Sequence, residues 1–421
     1  MCTFQNALVL FLLFAAASLT AQGSHVEGLT FDGIKCTKLN YLQRFIKTRQ
    51  GDTVSTGRIK KDVQRLKNLA AIANAYAIVD TLEDGDIRIN YYMTENWTLY
   101  PLINFGGITD NFWYQLGFED ANWLGTGSQI KAYYLNNQGR HNFQLFYRVP
   151  YLLGSQWGFS VTAFHFASLE PFFFPEGAVN YNYDNTSLGG TVTYELEIDH
   201  NMEIGAFYFI EKHTRLPDQE IFNSPESLQN PKWLYKVIHR IRKLNYHYFY
   251  LNGWSNTFRY ETVYNIDFGD WFHLAFTDFH YYHRFGQRGN FAGRVRFGIS
   301  TNSTSPFAPF LLDSQINIRG SGNRVDRGTG VVTLNLEYRQ TVFENGLFAV
   351  QLVGFSDAGT WRNPGGQWAD LLDRNNFRHF AGGGVRLIYK RAWNAILSAD
   401  YGVDLYDFKQ NGPVLYIGQY F

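Results

Sequence analysis

Residues 316–339 read INIRGSGNRVDRGTGVVTLNLEYR, a glycine- and arginine-rich loop that runs directly into a segment of period two. Val332, Leu334, Leu336 and Tyr338 alternate with Thr333, Asn335, Glu337 and Arg339. Successive side chains of a strand point to opposite faces, so one face here is apolar and aromatic and the other polar and charged. The pattern recurs on both sides of this stretch. Val192, Tyr194, Leu196 and Ile198 alternate with Thr193, Glu195 and Glu197, and Val295, Phe297 and Ile299 with Arg294 and Arg296. Phe143, Leu145, Tyr147 and Val149 alternate with more polar partners. Periodicity alone fits a soluble sandwich as well as a barrel with a polar lumen.

Three further features favour the barrel. Residues 1–21 read as a signal peptide, with an apolar run from Ala7 to Ala17, small residues up to Ala21 and cleavage expected before Gln22. Aromatic residues make up 18% of the chain, with 28 Tyr and 37 Phe, which suits an apolar outer band edged by aromatic girdles. No later stretch offers the roughly 18 apolar residues of a spanning helix. The 37 basic and 37 acidic residues cancel, which argues against nucleic acid as a partner.

About sixteen antiparallel strands are expected, at 98–107, 112–120, 128–136, 141–150, 156–166, 187–199, 202–211, 245–252, 255–266, 271–285, 291–300, 331–342, 347–360, 379–389, 394–404 and 413–421. Short connections such as His200-Asn201 and Glu344-Asn345-Gly346 alternate with long ones at 167–186, 212–244, 301–330 and 361–378. Within 212–244, Leu234, Val237, Ile238 and Ile241 have helical spacing, with Lys236, Arg240, Arg242 and Lys243 on the other side. That predicts a basic amphipathic helix, resting on anionic headgroups or packed on the barrel rim.

Ahead of the barrel (96–421), residues 22–95 have mixed periodicity. A strand near Leu29–Ile34, two helices and a hairpin about Asp84-Gly85 give the order β-α-α-β-β. Cys36 is the single cysteine after the signal peptide, and a buried, inert thiol is expected.

Four motifs narrow the family. They are NWLGTG (Asn122 to Gly127) in an early turn, INIRGSGNRVDRG before LNLEYR, GFSDAGTW (Gly354 to Trp361), and the terminal VLYIGQYF with Gly418 and Phe421. In this order they resemble the BamA-type surface-antigen superfamily of outer-membrane assembly and translocation barrels. The stretch GDTVSTGRIKKDVQRLKNLAAIANAYAIVD resembles a POTRA domain. The chain departs from the pattern in carrying Ser321 where an aromatic usually follows Arg-Gly, Leu312-Asp313-Ser314 in place of a double glycine, and a single POTRA-like domain.

The resemblance implies a cell outer-membrane location, with the small domain and the C-terminus in the periplasm. It implies a lumen lock of Arg319 and Gly320 against Glu337 and Asp357, and an early-turn motif at Asn122, Gly125 and Gly127. It also implies a closing strand ending at Phe421. An arginine withdrawn from water needs an anionic partner, which points the same way; the alternative is a solvated loop arginine. The implied activity is assembly or insertion of outer-membrane proteins. Its partners would be outer-membrane lipid, unfolded or secreted clients, and periplasmic accessory proteins. A translocation pore and a plain channel stay open as alternatives. No catalytic set, metal site or cofactor motif is evident. His280 and His283, three apart on a strand, point to opposite faces, and Gly382-Gly383-Gly384 reads as a strand that bends or packs closely.

Overall fold

The computed structural model describes residues 24–106, 112–174, 177–217, 224–301, 309–312, 317–322, 326–392 and 395–421. The signal-peptide reading of 1–21 lies outside them, as do Asp313, Ser314, Ile316 and residues 323–325 of the long arginine-glycine loop.

The N-terminal region has the expected order: β1 (Val26–Asp32), α1 (Leu39–Gln43), α2 (Thr56–Lys67), β2 (Ile72–Thr81) and β3 (Ile87–Glu95). β3 is central, parallel to β1 and antiparallel to β2. Ser55 caps α2 by accepting a hydrogen bond from the Arg58 amide. Ile59 and Leu66, seven apart on one helical face, bury against Leu42, Ile46, Ile72 and Ile89. Buried Asp62 ties the preceding loop to α2 by accepting from the amides of Lys47 (3.0 Å) and Thr48 (2.9 Å).

Sixteen strands then form a closed barrel. They are β4 (Leu99–Gly106), β5 (Trp113–Trp123), β6 (Ser128–Asn137), β7 (Arg140–Val149), β8 (Trp157–Phe174), β9 (Gly177–Glu197), β10 (His200–Arg215), β11 (Ser227–His247), β12 (Tyr250–Asn265), β13 (Trp271–Phe285) and β14 (Gly289–Ser300). After a long loop carrying the small pair β15 (Phe310–Leu312) and β16 (Asp326–Gly328) come β17 (Gly330–Glu344), β18 (Phe348–Arg362), β19 (Phe377–Tyr389), β20 (Ile396–Asp404) and β21 (Asn411–Ile417). Each barrel strand pairs antiparallel with its neighbour in sequence, across the long loop between β14 and β17, and β21 returns to β4.

The strand number agrees with the sequence reading, but two segments differ. Residues 167–186 and 212–244 are not wholly loops, and 245–252 is not a strand. Most of 167–186 belongs to β8 and β9, of 18 and 21 residues. Asn182 and Asp184 give that stretch a loop-like composition, yet it pairs with both neighbours. The expected basic helix is instead strand β11, and 245–252 straddles its turn into β12. The helical spacing was coincidental. Trp233, Tyr235, Val237 and His239 face outward, while Lys232, Lys236, Arg240 and Arg242 face the lumen, in register with β10 and β12. Flanking strands whose backbone groups need partners decide this segment over its local period.

The outer face is apolar. Ile204, Leu188, Leu145, Val192 and Leu397 stand exposed on it. Trp233, Tyr235, Tyr264 and Trp271 pack as an aromatic cluster on β11–β13. Such a surface suits lipid. Ile204, 62% exposed, should tolerate no charge: Ile204→Arg is expected to cost about 2–4 kcal/mol of barrel stability if it lies near the bilayer midplane. Urea unfolding in lipid vesicles measures this, and an unchanged midpoint would refute the lipid-facing assignment.

Candidate functional site

The long loop after β14 folds into the lumen and bonds to the inner wall formed by β17, β18 and β20. Arg319 is fully buried. Its amide and Nε donate to Asp357 Oδ2 at 3.1 and 2.8 Å, and its Nη2 donates to Asp357 Oδ1 at 2.9 Å. Nη1 donates to Glu337 and, at 3.3 Å, to Asp400. Period-two alternation on β17 and β18 aims Glu337 and Asp357 inward; both are buried. Arg319, Glu337 and Asp357 are thus brought together, and Arg319 is not a solvated loop residue.

The cluster is larger than the sequence motif. Arg339 Nε donates to Glu337 at 2.5 Å. Arg386 of β19 donates to both oxygens of Asp400, at 2.5 and 2.9 Å, and Tyr416 of β21 donates to Asp400 at 2.8 Å. Three guanidiniums therefore face three carboxylates with almost no access to water. Asp400, Arg339 and Arg386 were missed because each reads locally as one polar position in an alternating strand. The Arg319 guanidinium lies 3.8 Å from the Phe355 ring centroid and 4.6 Å from that of Tyr420. Ser321, standing where an aromatic is usual, donates instead to the Ile318 carbonyl at 2.8 Å.

Gly320 (φ +89°) presses on β20: a Cβ there would lie 2.6–2.7 Å from the backbone of Gly402. A Cβ on Gly402 would lie 2.3 Å from the Arg319 carbonyl oxygen. The close approach holds the loop against the wall, and nothing in the sequence pairs these two glycines. Gly384 is close-packed as expected, since a Cβ there would meet Asp400.

The closing strand departs from expectation. β21 ends at Ile417, and Phe421 does not terminate it. Gly418 (φ +107°) turns the chain inward, its amide donating to Ile396 O and its carbonyl accepting from Ser398 Oγ, each at 2.7 Å. A main-chain carboxylate oxygen of Phe421 accepts from Arg339 at 3.0 Å, and the Phe421 ring lies within 6.0 Å of the Arg294, Arg319 and Arg339 guanidinium carbons. The physical reason is a competition: the cationic lock takes the terminal rings that would otherwise continue the strand. As a result, among the described residues the seam between β21 and β4 pairs at Val414–Gly106 and Leu415–Phe105, and Leu99 to Asn104 of β4 have no ladder partner on β21. Asn104 Oδ1 adds a bond from the Ile417 amide at 3.0 Å.

The early-turn motif fastens the N-terminal region to the barrel. Buried Asn122 accepts from the Gly127 amide at 2.8 Å and donates to Thr37 Oγ1 at 3.0 Å. The Gly125 carbonyl accepts from the Lys38 amide at 2.8 Å. Gly125 (φ +73°) lies against the Cys36 carbonyl and Gly127 (φ +70°) against the Tyr41 ring, so neither has room for a Cβ. Glu95, at the end of β3, holds the facing loop by accepting from the amides of Lys35 (2.9 Å), Cys36 (3.0 Å) and Thr37 (2.7 Å). Cys36 is exposed, not buried: its backbone makes the latch and its thiol is left to solvent. Arg44 adds a 2.9 Å bridge to Glu195 and stacks 3.9 Å from the Tyr151 ring centroid, while Asn68 bonds Leu244 O and the Tyr246 amide on β11. His280 sits in the lumen near Phe421 and His283 outside beside Phe285, as their odd spacing required.

A closed antiparallel barrel with an apolar outer face, an inward loop bonded to its wall and an α+β region fastened to one rim defines a transmembrane barrel of the outer-membrane kind. The Omp85 superfamily domain matches residues 122–415, and the chain belongs to that superfamily. Its fold is shared by BamA from Haemophilus ducreyi lacking POTRA domains 1–3 (16% identity, TM-score 0.51, covering 93% of this chain and 83% of that one). It is shared also by CdiB from Acinetobacter baumannii (13%, 0.58, 94% and 74%) and CdiB from Escherichia coli (11%, 0.60, 94% and 77%). No curated protein sequence matches the chain. Membership places the barrel in an outer membrane.

Two outcomes follow from the geometry. Arg319→Ala should cost about 3–5 kcal/mol, because buried carboxylates lose a partner, and Arg319→Glu should cost more. Combining Arg319→Glu with Glu337→Arg should restore part of the loss; additive losses in urea unfolding would speak against contact. At the latch, burial by itself raises the Glu95 carboxyl, but the hydrogen bonds from Thr37, Cys36 and Lys35 outweigh it and hold the group below its usual 4.5. A depressed carboxylate stabilises the latch above that value and loses its effect as pH falls through the folded-state value. Proteolysis of the N-terminal region should therefore rise on acidification below about pH 4.5, and Glu95→Gln should flatten the response.

Proposed function

We propose that this chain assembles or inserts other proteins in the outer membrane, with its N-terminal region acting as a POTRA domain in the periplasm. The observation that carries the reading is the seam. Among the described residues β4 has no ladder partner on β21 from Leu99 to Asn104, because the last four residues turn into the lumen. Along that stretch the seam presents unpaired backbone groups that a client strand can satisfy. The N-terminal sheet offers a second edge. β2 is outermost in the order β1-β3-β2, and Tyr76, Ile78 and Val79 on it are exposed. An extended client can add to that edge before it reaches the barrel.

A translocation pore is the second reading, favoured by a part of the lumen wall that remains accessible to water, where the Arg259 side chain is 43% exposed. In that case loop and tail would withdraw and the seam would stay shut.

Cysteines at Phe105 and Leu415, facing partners across the seam, separate the two. Under the assembly reading, oxidising the Phe105→Cys, Leu415→Cys pair should lower several other barrels in the outer membrane as depletion does, and reduction should restore them. Under the translocation reading the barrels persist after depletion, and a secreted protein is held in the periplasm. An outer-membrane proteome unaltered by depletion would refute assembly.

A further inference from the structure

Charges on the lumen wall are matched in most places. The lock sets three arginines against three carboxylates. Elsewhere Glu119 pairs with Lys131, Glu170 with Arg327 and Glu211 with Lys232. Three carboxylates, on β10, β12 and β13, are different, because each is shared by two cations. Glu203 lies between Arg148 (3.4 Å) and Arg240. Asp278 lies between Arg294 (3.4 Å) and Arg296 (3.1 Å), with His280 at 3.6 Å. Glu261 is 3.6 Å from Arg259 and directly across from Lys236. Arg242, exposed on the same face of β11, adds a further cation beside Arg148 and Arg240.

Among the described residues of this wall, seven cations thus meet three carboxylates, in a chain whose net charge is zero. The Nε atom of Arg259 is buried and has no hydrogen-bond partner among the described residues. Buried donors without acceptors are costly, and an anion relieves both that deficit and the mutual repulsion. The wall is also wet where the lock is dry: the Arg259 side chain is 43% exposed and those of Arg148 and Arg240 are 22% and 20% exposed. Toward the N-terminal region lies a separate cavity of about 970 Å³, bounded by Lys67, Arg284, Arg288 and Lys390 with Glu344 as a carboxylate among them.

We propose that this basic wall is an anion-binding lane that takes carboxylate-rich stretches of polypeptide. A balanced, dry cluster holds structure together; an unbalanced, wet one attracts a ligand of opposite sign. Guanidiniums in a row on neighbouring strands suit successive carboxylates of an extended chain, each bound by the planar fork. The polypeptide occupant rests on the client-handling reading above. The charge preference does not, and it is measured without any client.

The test uses the full chain in lipid nanodiscs, with fluorescein-labelled peptides of about 20 residues, one rich in Glu and one rich in Lys. The Glu-rich peptide should bind, more weakly as salt rises, and the Lys-rich peptide should not. Arg240→Glu with Arg242→Glu should weaken binding at least tenfold. The milder Arg242→Gln, at an exposed position, should weaken it by a smaller factor in a barrel of unchanged heat-modifiability. Inorganic phosphate at matched ionic strength should compete poorly. In planar bilayers under a KCl gradient, the reversal potential should show anion preference, shifting toward cations in the Glu variants. Equal binding of both peptides, indifference to the variants, or displacement by millimolar phosphate would each overturn the polypeptide lane. So would a chain that neither binds the acidic peptide nor favours anions. Loss of other barrels on depletion, together with any of those results, would leave the assembly reading standing and remove the lane alone.

Discussion

A guanidinium that leaves water must be met by negative charge on all its donors, and Arg319 is met by three carboxylates from three strands. That requirement orders much of the lumen. It draws the long loop inward, needs Gly320 against Gly402 so the backbones can touch, and couples β17, β18 and β20 to one side chain. It also reaches the seam. Tyr416 of β21 shares Asp400, and the terminal rings lie over the arginines, so the residues that could lengthen the last strand are occupied inside. The buried polar cluster and the stretch of β4 that has no partner on β21 among the described residues are consequences of the same arrangement.

The lumen wall divides by charge balance. Around the lock, equal numbers of opposite charges are buried together, so removing any one leaves its partner desolvated and alone. At Glu203, Glu261 and Asp278 each carboxylate is outnumbered, and water reaches Arg148, Arg240 and Arg259. The first condition rigidifies and the second leaves capacity for a ligand. Both arise on strands with the same alternation of apolar and charged residues, which is why composition by strand does not distinguish them.

The N-terminal region is held at the rim by backbone and by charge. Glu95 orders one loop so that its amides and carbonyls meet the Asn122–Gly127 turn, and Arg44 reaches a glutamate inside the barrel mouth. The region's outer strand β2 and the barrel's seam are therefore set in a fixed relation.

Alternation every second residue, the four ordered motifs and the β-α-α-β-β order were legible in the sequence, because each depends on neighbours within a few residues. From them came a sixteen-stranded barrel, an α+β region ahead of it, and Arg319, Glu337 and Asp357 as one set. What failed did so where the deciding partner is distant in the chain. Residues 231–243 have helical spacing, but β10 and β12 on either side impose a strand. Phe421 reads as the end of a strand, but the arginines of β14 and β17 and of the long loop draw it inside. Asp400 and Arg386 look like any polar residues of a lumen face until the barrel closes and sets them beside Arg319. Sequence determined which face each side chain presents, since that follows from the pleat of a single strand. Only the tertiary structure decided which charges meet across the lumen, since that depends on barrel closure and strand register.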